Sequence, residues 1–190
     1  TGSIGSSLAK SLVKSGDEVH LVGRDEANLS SLANELNSSF TTCDMLEENF
    51  TDKILSDLGE TQINGLAYCV GSIDLKPIKL IKKSDFMQSF NLNLVSAAEI
   101  IKTLADNLKK NKGSIVLFST VAVKQGFPNH AIVSSAKGAV EGLTLALAAE
   151  FAPNIRVNCI APSLTKSKIS EFLLKNEKKM GEKRRKKIKH

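Results

Sequence analysis

Apolar positions along the chain switch repeatedly between two periods. Leu8, Leu12 and Val13 make a helical stripe that ends at Gly16, and 18–24 then reads as a strand centred on Leu21 and Val22. Leu29, Leu32, Ala33 and Leu36 place a second helix over 25–37, followed by a short strand over 39–43 that ends in Asp44. A third helix spans 51–58, and a strand over 63–70 is capped by Gly71. Residues 84–110 read as one long helix with Asn91 and Asn93 in its middle. Asparagine is unfavourable inside a helix and there either faces solvent or has a side-chain task. Gly113 opens a strand over 114–118 that ends at Ser119-Thr120, and a loop with Gly126 and Pro128 follows. The longest apolar-periodic run, 133–151, carries Val133, Ala136, Val140, Leu143 and Leu147 on one face, and after Pro153 a strand over 155–160 runs into Ala161-Pro162-Ser163. This alternation predicts an α/β chain with a mostly parallel sheet.

Composition narrows the class. At 190 residues the chain suits one domain, 1–165, with a basic, helix-like tail over 166–190. The tail holds eleven Lys/Arg against three acids, a surplus of eight, which leaves residues 1–165 at −2 of the chain's +6. With no aromatic residue after Phe172, the tail is expected to be a solvated face or frayed end, and nucleic acid is not an expected partner. No uninterrupted apolar run reaches 18 residues and the chain opens on a glycine loop, so neither a membrane span nor a signal peptide is expected. Cys43, Cys69 and Cys159 each end an apolar run, which suits buried reduced thiols and a cytoplasmic location. No Cys/His spacing resembles a metal site.

Chemistry-bearing residues gather at strand ends, where ligands of parallel sheets sit. Gly2-Ser3-Ile4-Gly5 feeds a helix N-terminus, where free N–H groups and the helix dipole favour a phosphate. The next strand ends in Gly23-Arg24. An acid there would take the ribose 2′-hydroxyl of NAD; a cation suits the 2′-phosphate of NADP, although an exposed surface arginine is the alternative. Asp44, Cys69 to Gly71, Ser119-Thr120 and Ala161 to Ser163 occupy equivalent ends. Lys137 stands near the start of the longest apolar run, either as a snorkelling surface residue or as part of the site that those ends converge on.

The pattern resembles the short-chain dehydrogenase/reductase family over nearly the whole chain. Thr1-Gly2-Ser3-Ile4-Gly5 is similar to the end of the family's glycine loop, Arg156-Val157-Asn158 with Pro162-Ser163 to its RVNxxxPG segment, and Lys137-Gly138-Ala139-Val140 to the helix after its catalytic lysine. Gly71 matches the last residue of its NNAG segment, which here reads Tyr68-Cys69-Val70-Gly71. The resemblance implies a Rossmann-type doubly wound parallel sheet with helices on both faces, and NADP, or alternatively NAD, held by Gly2, Ser3, Ile4, Gly5, Arg24, Asp44, Met45, Val70, Gly71, Lys137, Pro162 and Ser163. It implies Lys137 on the nicotinamide ribose, Asn93 as the anchor of a water relay, and Thr120, with Ser119 beside it, on the substrate oxygen. It also implies a small-molecule substrate and a homodimer or homotetramer.

Two departures qualify this. The tyrosine that passes the proton in the family lies four residues before the lysine, and Val133, which can neither give nor take a proton, stands there. Candidate replacements are Ser134, His130 and a water held by Lys137. His130, seven residues before Lys137, shares its helix face, and histidine suits acid catalysis near neutral pH. The family's first strand, central in the sheet, and its last strand have no counterpart here, so the chain reads as a fragment whose neighbouring strands lack a partner. The sequence therefore supports two functions: an NAD(P)-dependent oxidoreductase with an altered proton donor, or a binding protein that holds the dinucleotide or a partner without turnover.

Overall fold

The structure is a computed structural model that describes residues 2–167, 170 and 171. Helix α1 (Ser3–Lys14) leads to strand β1 (His20–Gly23), α2 (Glu26–Leu36), β2 (Ser39–Thr42), α3 (Phe50–Leu58) and β3 (Gly65–Tyr68). A short 3-10 turn (Ile78–Leu80) precedes α4 (Lys83–Phe90), a π-helical segment (Asn91–Val95) and α5 (Ser96–Lys110). Strand β4 (Ser114–Phe118), the short α6 (Ala122–Gln125), the long α7 (Ala131–Phe151) and β5 (Arg156–Ile160) complete the order.

All strand pairs are parallel, and they fall into two sheets, β1-β2 and β3-β4-β5. Among the described residues no ladder joins β1 to β3, the two strands the sequence reading left without a partner. In the larger sheet Tyr68 pairs with Leu117, and Leu117 with Cys159, so Cys69, Ser119 and Ala161 leave the sheet at one edge. Hydrogen bonds from Ser119 N to Ile160 O (2.7 Å) and Val121 N to Pro162 O (3.2 Å) continue β4 and β5 beyond the regular ladder. The ends of β3, β4 and β5 singled out in the sequence are thus brought together by register rather than by loop folding.

Two apolar clusters hold the elements. Ala9, Leu21, Leu29, Leu32 and Ala33 join α1, β1 and α2. The larger cluster packs Phe50 and Ile54 of α3, Ile100, Ile101, Leu104 and Leu108 of α5, and Val140 of α7 against Ile115, Leu117 and Val157 of the sheet. Helix α7 is long and apolar enough by composition to cross a membrane, although no unbroken apolar run is. Its contacts with β4, β5, α4 and the π segment, and the buried positions Ile132, Val133, Ala136, Val140 and Thr144, account for that character as sheet packing.

Three expectations need correction. Residues 84–110 are not one α-helix: the π segment interrupts it at the two asparagines, because a five-residue repeat there swings Asn93 inward. The loop after β4 contains helix α6, which the glycine and proline at its far end had hidden. Strand β4 keeps the expected bounds 114–118, and the other four strands are each one to four residues shorter than the sequence pattern suggests. The cysteines are all free, Cys43 buried and Cys69 and Cys159 partly so. Most of the basic tail (168–169 and 172–190) lies outside the described residues.

Candidate active site

The site is built around Gly71, at the end of β3. A Cβ added there would lie 2.8 Å from Asn93 Oδ1 and 3.2 Å from Lys137 Nζ, so two polar side chains meet in the space a larger residue would take from them. Asn93 reaches this point through the π segment. Its Nδ2 donates to Ser89 O at 2.8 Å, which fixes the amide and directs Oδ1 at Gly71. Tyr68 braces the same segment by donating its hydroxyl proton to Leu92 O at 2.7 Å. Burial raises the Tyr68 hydroxyl far above its ordinary value, so the chain's one tyrosine is a strut and not an acid.

Lys137 comes from the buried face of α7, one turn after Val133. It is only 8% exposed, and no ion pair or hydrogen bond engages its Nζ among the described residues. Asn93 is 1% exposed, and its Oδ1 has no partner either. Buried polar groups in folded proteins are nearly always paired, and an unmet one costs about 1–3 kcal/mol. An orphaned acceptor and an uncompensated cation on the same glycine therefore mark a place where something polar binds. Burial pushes the Lys137 ammonium down to about 8, with the flanking Cys159 and Cys69 opposing that shift weakly. Burial also pushes the Cys69 thiol up to about 11 and raises Cys159, which keeps both neutral.

The start of α1 adjoins this centre. A Cβ on Gly5 would lie 3.4 Å from Cys69 Cβ, so the helix N-terminus packs onto the end of β3. Gly2, Ser3 and Ile4 form that end, Gly2 caps it without a side chain, and a Cβ on Gly2 would meet nothing within 4 Å. These N–H groups are open to a phosphate. At the end of β1 the Arg24 side chain is 78% exposed, with its Nη1 3.8 Å from Asp44 Oδ2. Asp44 Oδ1 accepts from Leu46 N at 3.0 Å, which holds the carboxylate at the end of β2. Together with Gly71, Asn93 and Lys137, these features fit a dinucleotide: an open helix N-terminus, an exposed guanidinium and a polar cradle with unmet hydrogen bonds.

Other predicted residues divide. Thr120 Oγ1 accepts from Ala122 N at 3.3 Å and gives its proton to no acceptor among the described residues, so the hydroxyl can donate. Ser119 is spent: its Oγ donates to Glu141 Oε1 at 2.6 Å, and Glu141 Oε2 in turn lies 3.4 Å from Lys124 Nζ. This Ser119–Glu141–Lys124 tie, which clamps β4 to α7, gave no signal in the sequence. The Met45 side chain is buried in the larger core, and Val70 packs against it. Pro162 and Ser163 follow β5 at the same edge, Pro162 O bonded to Val121 N. Ser134 Oγ donates to Ala122 O at 3.3 Å. His130 Nδ1 lies 2.8 Å from Pro128 O, and its ring packs against Phe127 with centroids 5.4 Å apart. His130 and Ser134 line a cleft of about 620 Å³ with Lys76, Ile78, Lys79 and Phe127, a cleft that Lys137 does not line. No cluster of three metal-ligating side chains occurs among the described residues.

Comparison with known proteins bears on this arrangement. The family model described as enoyl-(acyl carrier protein) reductase matches residues 1–189. L-xylulose reductase of Bos taurus is 32% identical over 167 residues, covering 85% of this chain and 67% of that protein. A chloroplastic tropinone reductase homolog of Arabidopsis thaliana is 29% identical over 192 residues, covering 96% of this chain and 60% of that one, so the chain spans well short of its relatives' full length. Among solved structures, an actinorhodin polyketide ketoreductase with NADPH superposes with a TM-score of 0.85 at 22% identity, covering 92% of this chain and 71% of that one. The 3-ketoacyl-(acyl-carrier-protein) reductase of Brucella melitensis with NADH gives 0.83 at 23%, covering 90% and 74%. With the family model matched over residues 1–189 of the 190 in this chain, the chain belongs to the short-chain dehydrogenase/reductase family of oxidoreductases.

Proposed function

We propose that the protein is an NAD(P)-dependent oxidoreductase that interconverts a small carbonyl compound and its alcohol, with a proton donor other than the family tyrosine. The observation that carries this reading is the uncompensated pair at Gly71, Lys137 Nζ and Asn93 Oδ1. A buried ammonium without a counter-charge destabilises the fold unless a ligand engages it, which supports a bound dinucleotide at this site.

In this reading the N–H groups of Ser3, Ile4 and Gly5 hold the diphosphate, and Lys137 donates to the nicotinamide ribose. Asp44 takes the adenine end, and the loop of Pro162 and Ser163 covers the nicotinamide. The dinucleotide, when bound, supplies or accepts the hydride. Thr120 donates a hydrogen bond to the substrate oxygen and fixes the carbonyl without giving up its proton, and the body of the substrate extends into the cleft beside Phe127 and His130. Arg24 favours NADP, since its exposed guanidinium suits a 2′-phosphate and would otherwise find only a long contact to Asp44. The exposed apolar residues Leu145 of α7, Met87 of α4 and Val95 of the π segment support self-association into a homodimer or homotetramer through these helices.

Titration calorimetry with NADPH and NADH tests the reading. NADPH is expected to bind more tightly, and Arg24→Ala is expected to remove most of that preference, about tenfold for one charge-assisted contact. Failure of both dinucleotides to bind the folded protein would contradict it.

A further inference from the structure

We infer that Lys137 is itself the acid: its ammonium gives the proton that ends on the substrate oxygen, taking over the task that Val133 cannot perform. The inference rests on the oxidoreductase reading above and concerns the step which that reading leaves without a donor.

Geometry removes the other hydroxyls and the imidazole. The hydroxyl of Tyr68 donates its hydrogen bond to Leu92 O, that of Ser119 to Glu141 Oε1 and that of Ser134 to Ala122 O. His130 Nδ1 lies 2.8 Å from Pro128 O and its ring packs against Phe127, so its contacts are with the loop that precedes α7. Thr120 keeps a free proton but touches no base that could replenish it, so it can hold the oxygen without supplying the proton. Lys137 differs from all of these. Its Nζ carries three protons with no protein acceptor, and it lies on the same face of α7 as Val133.

The surroundings complete the case. The titratable groups acting on Lys137 are Cys69 from the end of β3 and Cys159 from β5, with Glu141 one turn further along the same helix. Both thiols are held neutral by burial, and Glu141 is engaged by Ser119 and Lys124. None of them neutralises the ammonium, whose burial lowers it to about 8, close to the pH at which a general acid works best. The family tyrosine, by contrast, is made acidic by its lysine; with valine in its place the lysine needs no intermediary.

The step balances. The carbonyl carbon accepts a hydride from the bound dinucleotide and its π pair moves to oxygen. One N–H bond of Lys137 breaks as the new O–H bond forms, leaving the alcohol, the oxidised dinucleotide and a neutral amine. Solvent returns the proton to the amine before the next turn, and the reverse reaction runs the same path backwards.

The test combines a titration with kinetics on 2,3-butanedione, an unhindered electrophilic diketone. In protein labelled with 15N at lysine Nζ, one resonance, lost in Lys137→Met, is expected to titrate near pH 8. NADPH-dependent reduction should fall as pH rises through that same value, approaching tenfold per pH unit, and His130→Ala should leave this limb in place. Lys137→Ala should be rescued at least tenfold by methylammonium, and further by the more acidic 2-fluoroethylammonium. Reduction whose pH limb does not coincide with the Nζ titration, or rescue that ignores amine acidity, would overturn Lys137 as the acid while leaving the oxidoreductase reading standing. NADPH binding without any turnover would overturn both.

Discussion

Two polar regions lie at the start of α7 and differ in one respect. Around the outer cleft, both polar side chains that the sequence singled out have a partner within the fold, Ser134 at Ala122 O and His130 at Pro128 O, and the lining residue Lys76 has both Asp74 and Asp85. At the inner site, Lys137 and Asn93 Oδ1 are more deeply buried and have none. A satisfied polar group contributes modestly to stability and asks nothing of a ligand, whereas an unsatisfied buried one is a standing cost that only a ligand removes. Under the proposed function, the chemistry falls to the inner site and a shape-determining part to the outer one.

The largest effect expected from this contrast concerns Lys137. Its ammonium is lowered from 10.5 to about 8 by burial. The unfolded chain thus holds the proton more tightly than the folded one, and stability rises with pH between about 8 and 10.5. Below that window the buried charge costs about 3 kcal/mol. Lys137→Met should therefore raise unfolding stability at pH 7 by up to about 3 kcal/mol and abolish the rise between pH 8 and 10.5, while turnover falls at least a hundredfold. Urea unfolding across that pH range measures it, and a destabilised variant would break the comparison.

Gly71→Ala sharpens the same contrast with a smaller effect. The new methyl would stand 2.8 Å from Asn93 Oδ1 and 3.2 Å from Lys137 Nζ, so both side-chain ends must move. Stability should fall by about 1 kcal/mol, the scale of modest overpacking, with NADPH affinity reduced at least tenfold. Equal NADPH binding by the two proteins in calorimetry would show that the glycine is not the cradle.

Much of this was legible in the sequence. Strands alternating with helices gave the parallel α/β order, and the clustering of Gly71, Thr120 and Pro162 at strand ends located the site, because parallel register forces such ends to one edge. Asn93 could be suspected from its awkward place within a helical pattern. That it is served by a π segment could not, since the extra residue in the turn leaves the apolar period nearly unchanged over five positions. Nor could sequence tell Ser119 from Thr120, adjacent hydroxyls of which one is consumed by Glu141, twenty-two residues away, and the other is left free to donate. Spacing placed His130 and Lys137 on one helix face, yet His130 sits at the helix cap, where the chain is already turning, and its ring follows the loop.

The central claim is that the family site is intact around Lys137 and lacks only the group that Val133 displaced. Val133→Tyr tests it most directly, read as NADPH-dependent reduction of 2,3-butanedione by the folded variant. The account predicts a gain of at least tenfold over the parent protein at neutral pH, the lower range for a well-placed general acid being about a hundredfold. A folded variant that binds NADPH as the parent does and shows no gain would contradict it.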